Sequence, residues 1–444
     1  MRILILMDLQ AATLADGQPP FVAYSHDKNL LQFAHEALRK NLVVLIGPIG
    51  GDPVSHTYWR ARQVYPTLQR DSDALAFQDV RPDIVVGVFP DQLNIRRYFP
   101  HPKIVGIHAA IHWIESPERF SADYVLNLLR AVRYDIDFIV TQNPRMAEIL
   151  TIVYEFFVRW PYRNRVLVAP LGIVDEESRA VVDRKTVRQE MALADDEVAI
   201  INAGGVWRWT DVNTFLRAFG RFSERGPSRL KCYLMGIIQP NNKDHYEYVA
   251  ETFRILERYR DLVGDRITVY RDWNAAGGHV ANFTAASDIG LNVNQSSLEN
   301  WQSYRIRFLE YMMRGLPVIA TGGDLMSGVQ GARHAFIAEP GNQDSYEAIL
   351  NIVNSNPEVL EEKAAAMRQL SEEFNSRNTY GRVIDHILRT PRREDGDHEA
   401  WGPSILELAQ QQAIGQIRHR VVAQLDEIVS GFDRGIDPHR RETR

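Results

Sequence analysis

Cysteine is almost absent: Cys232 stands alone among 444 residues. A single thiol excludes an internal disulfide and a cysteine-based zinc cluster, and it suits a reducing cytosol. Long apolar runs are missing as well, and no stretch approaches the ~20 residues that span a bilayer. The opening run Met1 to Met7 meets Asp8 at once, so nothing resembles a signal peptide. Nor is there a basic excess. Fifty-one Lys and Arg face 57 Asp and Glu, a net charge of −6, which gives no reason to expect a nucleic-acid partner. These absences point to a cytoplasmic chain, soluble or at most peripheral to a membrane. No internal repeat suggests a solenoid.

What is present is the composition of a globular protein, 45% hydrophobic and 24% charged. Its length exceeds one ordinary core and predicts two domains plus an appendage. Arg2 to Met7 is a continuous apolar run, as expected of a strand buried on both faces of a parallel sheet. Similar runs follow at Leu42–Ile46, Ile84–Val88, Lys103–Ile107, Phe138–Thr141 and Arg165–Val168, with helical patterns at Asn29–Lys40 and Ala122–Val132 between them. This alternation predicts a doubly wound α/β domain ending near residue 175. After the charged stretch Asp175–Asp196 the pattern restarts. Strands are expected at Val198–Asn202, Lys231–Met235, Ile267–Tyr270, Ile289–Val293, Pro317–Ala320 and His334–Ile337. Helices are expected at Val212–Glu224, His245–Leu262, His279–Ala286, Tyr304–Arg314 and Gln343–Val353. The domains are thus 1–175 and 176–390, followed by a 391–444 extension. Within that extension Arg392–Glu399 reads as a charged linker and Ser404–Phe432 as an amphipathic helix. Its apolar face suits packing on its own domains or a subunit, with peripheral membrane contact as the alternative.

The chemistry concentrates in Leu291–Asp324, LNVNQSSLENWQSYRIRFLEYMMRGLPVIATGGD. It reads as a strand, a polar loop holding Glu299, a helix from about Ser303 to Arg314 stopped by Gly315, and another buried strand. Tyr304, Arg305, Arg307 and Glu310 fall in the first two turns of that helix. A loop entering a helix offers free N–H groups and partial positive charge, which suits a diphosphate. Arginine adds bidentate phosphate contacts, and a carboxylate accepts from both ribose hydroxyls. A second segment, Ala203–Phe219, places Gly204-Gly205 after a strand and a helix behind Asp211, and glycine lets backbone approach phosphate closely.

FLEYMMRGLPVIAT resembles the donor signature of the family-four retaining glycosyltransferases, known as glycosyl transferases group 1. The whole run is similar to a bacterial subgroup that reads Glu, four residues, aromatic-Arg-x-Arg, two residues, then Asp or Glu. That resemblance implies the GT-B architecture: two Rossmann-like doubly wound domains facing a central cleft, plus the C-terminal helical extension. It implies that Glu310 holds the donor's ribose and that Glu299 contacts the sugar, with Gln302 in reserve where the usual pattern has its first glutamate. Gly204 and Gly205 resemble the diphosphate loop. The family's usual Arg and Lys there correspond to Gly205 and Thr210, so another cation must neutralise the leaving group. Arg208, Arg305 and Arg307 are the candidates, with Arg305 favoured for its place at a helix entrance. Trp207 and Trp209 either shelter the site or serve domain packing.

Arg271-Asp272-Trp273 and His279–Asp288 resemble the stretch where the family reads the base, although Asp272 equally suits a helix cap and Asp288 structural work. In the first domain His108 ends a strand and His112 follows; the family often uses a histidine near the transferred sugar. A structural histidine is the other reading, and metal binding lacks an evident third ligand. The loop Asp8–Ser25 should border the acceptor but offers only Gly17 before Pro19-Pro20. Pro170-Leu171-Gly172 resembles the family's exit from the first domain. Asp135-Ile136-Asp137 has the DxD form of metal-dependent sugar transferases but precedes a buried strand, so no metal is expected there. No Gly-x-Gly-x-x-Gly follows the first strand, which removes the main reason to expect a nicotinamide enzyme.

Taken together, the expected activity is that of a retaining, metal-independent, hexosyltransferase-type glycosyltransferase without a cofactor. Its partners are a nucleotide-sugar donor and a saccharide, lipid-linked or small-molecule acceptor, with surface polysaccharide or glycoconjugate assembly as the favoured setting. Alternatives are a sugar-nucleotide epimerase or hydrolase, or a non-catalytic sugar-nucleotide-binding protein of the same fold.

Overall fold

A computed structural model describes residues 1–7, 25–49, 52–64, 67–88, 95–108, 128–129, 131–158, 164–173, 183–238, 246–322 and 333–393. The expected Ser404–Phe432 helix, the loop from Asp8 through Gly17 to Tyr24, His112 and most of Ala122–Val132 lie outside those residues. The chain forms two compact units, Met1–Pro170 with Thr379–Arg444, and Leu171–Asn378. The reading from sequence keeps 176–390 together, whereas the structure returns the chain to the first unit after Asn378.

The first unit is built on eight strands: β1 (Arg2–Met7), β2 (Val43–Pro48), β3 (Tyr58–Val64), β4 (Thr67–Leu75), β5 (Ile84–Val88), β6 (Lys103–His108), β7 (Phe138–Thr141) and β8 (Val166–Val168). Their order is β4-β3-β2-β1-β5-β6-β7-β8. From β2 to β8 all pairings are parallel, and Ile3, Leu4, Ile5 and Leu6 of β1 sit buried between β2 and β5. Strands β3 and β4 add an antiparallel hairpin on the β2 edge. Helices α1 (Ser25–Arg39), α2 (Ile95–Tyr98) and α3 (Pro144–Val158) lie along this unit.

In the second unit the strands are β9 (Val198–Ala203), β10 (Leu230–Ile238), β11 (Ile267–Asp272), β12 (Ile289–Asn292), β13 (Val318–Thr321) and β14 (Ala335–Ala338). They form one parallel sheet in the order β11-β10-β9-β12-β13-β14. Its helices are α4 (Arg184–Glu190), α5 (Val212–Glu224), α6 (Tyr246–Val263), α7 (Trp273–Ala286), α8 (Leu298–Gln302), α9 (Ile306–Met313), α10 (Gln343–Ser355) and α11 (Pro357–Glu373). Helix α5 drives the core on one face, where Phe215 and Phe219 pack with Ile200, Leu234, Leu291 and Tyr346. Burying an aromatic side chain of this size contributes ~2–3 kcal/mol. Asp211 stands at the N-cap of α5 but makes no capping bond. Its carboxylate instead accepts from Thr214 Oγ1 at 2.6 Å, Gly341 N at 2.8 Å and the Tyr346 hydroxyl at 2.9 Å, which ties α5 to α10.

Both passages of the chain at the edge of the second unit are clamped together. Ile173 N donates to Phe374 O at 2.7 Å and Ser376 N to Ile173 O at 2.9 Å. Gly172 has no room for a side chain, because a Cβ would meet Ser376 Cα and N at 2.6 Å. A π-helical turn, Arg377–Gly381, then leads into α12 (Arg382–Arg389). Within the first unit α12 is held by Lys40 Nζ to Asp385 at 2.8 Å and by Lys103 Nζ to Ile387 O at 2.6 Å. Asp137 completes the return. Fully buried, it accepts from Arg96 Nη2 at 2.7 Å, Ile104 N at 2.8 Å and Arg393 N at 2.9 Å.

Candidate functional site

A parallel sheet binds ligands beyond the carboxyl ends of its strands, at the point where strand order reverses. In the second unit the order reverses between β9 and β12. The two segments singled out from sequence leave those two strands: Gly204–Asp211 follows β9, and Val293–Arg305 follows β12 up to α9.

Arg307, in the first turn of α9, reaches back to the β9 loop. Its Nη1 donates to Asn202 Oδ1 at 2.8 Å and its Nη2 to Gly205 O at 2.9 Å. Asn202 is fully buried and turns its other amide atom to Gly204 O at 2.7 Å, so one side chain orients both the loop and the guanidinium. Gly204 has φ +146°, and a Cβ there would lie 2.9 Å from Arg307 Nη2. Only glycine meets both conditions, which is the physical reason for glycine at position 204. Burial lowers the pKa of Arg307, Tyr311 opposes that shift, and the charge of Arg305 adds to it more weakly. Arginine stays protonated regardless. Among the described residues no carboxylate pairs with Arg307. Among those residues its charge is met only by neutral oxygens, a state that favours an anionic ligand.

Tyr311, one turn further along α9, fixes the helix to the sheet. Its ring lies over Gly290, where a Cβ would fall 2.4 Å from ring carbons. Its hydroxyl accepts from Ala203 N at 3.0 Å and directs its proton toward Ile201 O or Leu291 O, at 3.0 and 3.2 Å. Burial pushes this phenol up to about 12. The residue before Gly204 is therefore pinned by the helix that carries Arg307.

The remaining residues fall as follows. The helix begins at Ile306 rather than Ser303, and Arg305 is its N-cap, half-buried, with extended backbone and no capping bond. Tyr304 precedes the helix; its buried hydroxyl donates to Leu171 O at 2.7 Å, and burial raises its pKa well above the usual phenol range. The expected polar loop contains a short helix, α8, capped by Ser297 Oγ accepting from Asn300 N. Gln302 ends it and is fully buried. Glu299 lies on α8, but its side chain is outside the described residues. Glu310 is half-buried on α9. Thr210, where the family's lysine is expected, is buried and closes a tight turn through Oγ1 to Trp207 O at 2.7 Å. Arg208 is exposed at the tip of that turn, with half-exposed Trp207 and Trp209 on either side of it.

In the first unit His108 ends β6 with 2% exposure, its Nε2 3.3 Å from the Tyr154 hydroxyl. Burial pushes its pKa down to about 3, so the ring is neutral at physiological pH. That burial matches the structural-histidine reading kept open above. Asp288 pairs with Arg184 and Arg188 and accepts from Ala199 N, which is structural work. Asp272 is exposed at the end of β11. Among the described residues no group of three or more His, Cys, Asp or Glu is arranged to hold a metal, and no helix is long and apolar enough to cross a membrane.

What sequence reasoning ranked differently is the cation. It favoured Arg305 for its helix entrance, whereas the side chain that meets the glycine loop is Arg307. Arg307 and Tyr311 are four residues apart and share a helix face, but which way that face turns is set by the fold and not by the spacing.

No protein-family model and no curated protein matches the chain. Solved structures do. The chain is similar to Anabaena Alr3699/HepE, crystallised with UDP and glucose, with 14% identity and a TM-score of 0.61 over 88% of this chain and 100% of that one. It is similar to the sucrose-phosphate synthase of Thermosynechococcus elongatus, at 12% identity and TM-score 0.58 over 87% and 98%. WaaG, a glycosyltransferase involved in lipopolysaccharide biosynthesis, gives 14% identity and TM-score 0.58 over 87% and 100%. At these identities the likeness shows the fold: α/β, with two Rossmann-like parallel-sheet domains, of the GT-B kind.

Proposed function

We propose that the chain is a glycosyltransferase that moves a hexosyl group from a nucleoside-diphosphate donor to a hydroxyl acceptor, without a metal and with retention at the anomeric carbon. One observation carries the reading. Arg307 is a partly buried cation that meets only neutral oxygens among the described residues and stands over a glycine loop at the sheet's switch point. A diphosphate is the anion that suits such a place. Arg307 and the neighbouring Arg305 stabilise the charge that develops on the departing diphosphate, which takes up the acceptor's proton as the new glycosidic bond forms. Glu310 accepts from the donor's ribose, and Glu299 contacts the sugar.

The similar structure crystallised with UDP supports a uridine nucleotide as the first donor to try. WaaG's place in lipopolysaccharide assembly supports a role in surface polysaccharide or glycoconjugate assembly. A thermal-shift screen of nucleoside diphosphates and their sugars, repeated on Glu310→Ala, tests the donor site. A shift for one nucleotide that the variant loses is expected, and no shift from any of them would overturn the reading. An epimerase or hydrolase would turn over donor with no acceptor present, so product release from donor alone separates that alternative.

A further inference from the structure

Hydrogen-bonding atoms that are buried and left without a partner are uncommon in folded proteins, and each calls for a reason. One lies on the loop that leaves β12. Asn300 is 1% exposed, and its Oδ1 has no donor among the described residues. The rest of the residue is engaged. Its N donates to Ser297 Oγ at 3.1 Å, and its O accepts from Ser303 Oγ at 3.0 Å. Its Nδ2 donates to Gly322 O at 3.3 Å. A carbonyl only accepts, so that bond fixes which way round the amide sits and leaves the oxygen as the orphan. Asn300 is therefore an acceptor held from both ends of α8 and from the residue after β13, with nothing to accept.

Its position narrows what it meets. Asn294 N donates to the buried Thr321 Oγ1 at 2.8 Å, which ties the start of the same loop to the end of β13. Asn300 thus belongs to the carboxyl ends of β12 and β13, beside the switch point between β9 and β12. Three parts of a nucleoside-diphosphate hexose do not suit it. The diphosphate oxygens only accept hydrogen bonds. The ribose is taken by Glu310 in the reading above. The stretch that resembles the family's base-reading region is at β11, on the other side of β9 and three strands from β12. What remains is a hydroxyl of the hexosyl group, a donor that a neutral amide oxygen can receive without adding negative charge beside the diphosphate.

We propose that Asn300 Oδ1 accepts a hydrogen bond from a hydroxyl of the donor's hexosyl group and so helps to determine which donor sugar is used. This rests on the donor reading above. The oxygen is closed off in the free chain, so α8, a helix of only five residues, shifts to admit the sugar. The test is calorimetric titration of the full chain with UDP, UDP-glucose, UDP-galactose and UDP-N-acetylglucosamine, then with 2-, 3-, 4- and 6-deoxy forms of the tightest donor. Asn300→Leu removes the orphan acceptor together with the long bond to Gly322 O, so the free protein should melt within a few degrees of the unaltered chain. Its UDP Kd should be unchanged, while the Kd of the tightest donor should weaken about fivefold to tenfold. For one deoxy form the substitution should cost nothing, which names the hydroxyl. Asn300→Asp keeps Oδ1 and should keep the preference for the full donor over that deoxy form, a result that a merely structural residue would not give. UDP binding with Asn300→Leu changing UDP and donor affinity alike, or neither, would overturn the Asn300 assignment alone. Absence of binding by UDP and all three donors in the unaltered protein would overturn the donor reading together with it.

Discussion

Replacing Arg307 by methionine separates stability from ligand binding in a way that few changes at this site can. Methionine keeps most of the stem's volume and removes the charge. Two bonds are lost, to Asn202 Oδ1 and Gly205 O, each costing ~1–3 kcal/mol if the oxygen is left unpaired in a buried place. Against this, the folded chain no longer desolvates a cation that lacks a carboxylate partner among the described residues, a penalty of several kcal/mol. The two terms are of similar size, so the free protein should melt within a few degrees of the unaltered chain. Binding has no such compensation. Removing one partner of a desolvated charge pair costs ~2–5 kcal/mol, or ~30- to several-thousand-fold in Kd. Calorimetric titration with UDP, beside melts with and without it, reads both quantities. The expected result is a near-normal melt without ligand and a stabilisation by UDP that vanishes, where ~2.7 kcal/mol is available at a hundred times Kd. A UDP Kd within threefold of the unaltered chain would refute the assignment of the anion site to Arg307.

Other outcomes follow from the same geometry. Tyr311→Phe frees Ala203 N, Ile201 O and Leu291 O from the helix, so unfolding free energy should drop by ~1–2 kcal/mol and UDP affinity should fall with it, as urea melts and titration will show. Asp137→Ala breaks a buried pair with Arg96 and the anchor of Arg393; a loss of ~3–5 kcal/mol and faster proteolysis near residue 393 are expected, and an unchanged urea midpoint would count against the clamp. His108 has its folded pKa pushed down to about 3, below the ~6.5 of an unfolded histidine, so the unfolded state binds the extra proton between those values. Its contribution is whole above pH ~6.5 and is lost as pH falls, at up to ~1.4 kcal/mol per pH unit, so urea titrations at pH 7, 6 and 5 on His108→Gln should show a flatter dependence than the unaltered chain. Gly172→Ala, which drives a Cβ into the backbone of Ser376, should cost ~1–3 kcal/mol by calorimetry.

The buried parallel strands were the most legible part of the sequence. β1, β5 and β7 coincide with their apolar runs, and α5 with its expected span Val212–Glu224. Strands covered on both faces have no polar positions to confuse the pattern. The hairpin of β3 and β4 escaped because an antiparallel edge mixes its residues: Arg60, Arg62, Gln63, Arg70, Asp71 and Asp73 interrupt any run. The sequence starts α9 three residues early because Ser303, Tyr304 and Arg305 have the composition of a first turn, while all three lie outside the helix and Ser303 and Arg305 have extended backbone. At the site, residue types and loop positions could be read, and side-chain direction could not. Nothing in the spacing says that Arg307 turns inward to Asn202, or that Thr210 closes a turn rather than facing a ligand.

The nested course of the chain also bears on how the protein is made. Asp137 meets Arg393 across 256 residues, and the whole second unit is threaded between them. A ribosome adding about 5–20 residues per second needs ~13–50 s to cover that distance. Throughout that interval the first unit carries a buried carboxylate whose last hydrogen-bond donor has not been synthesised, and Lys40 and Lys103 wait equally for Asp385 and Ile387. The second unit is one continuous segment and can close as soon as Asn378 emerges. The half made first is therefore finished last, and the interval in between is when nascent chains are most exposed to chaperones and proteases.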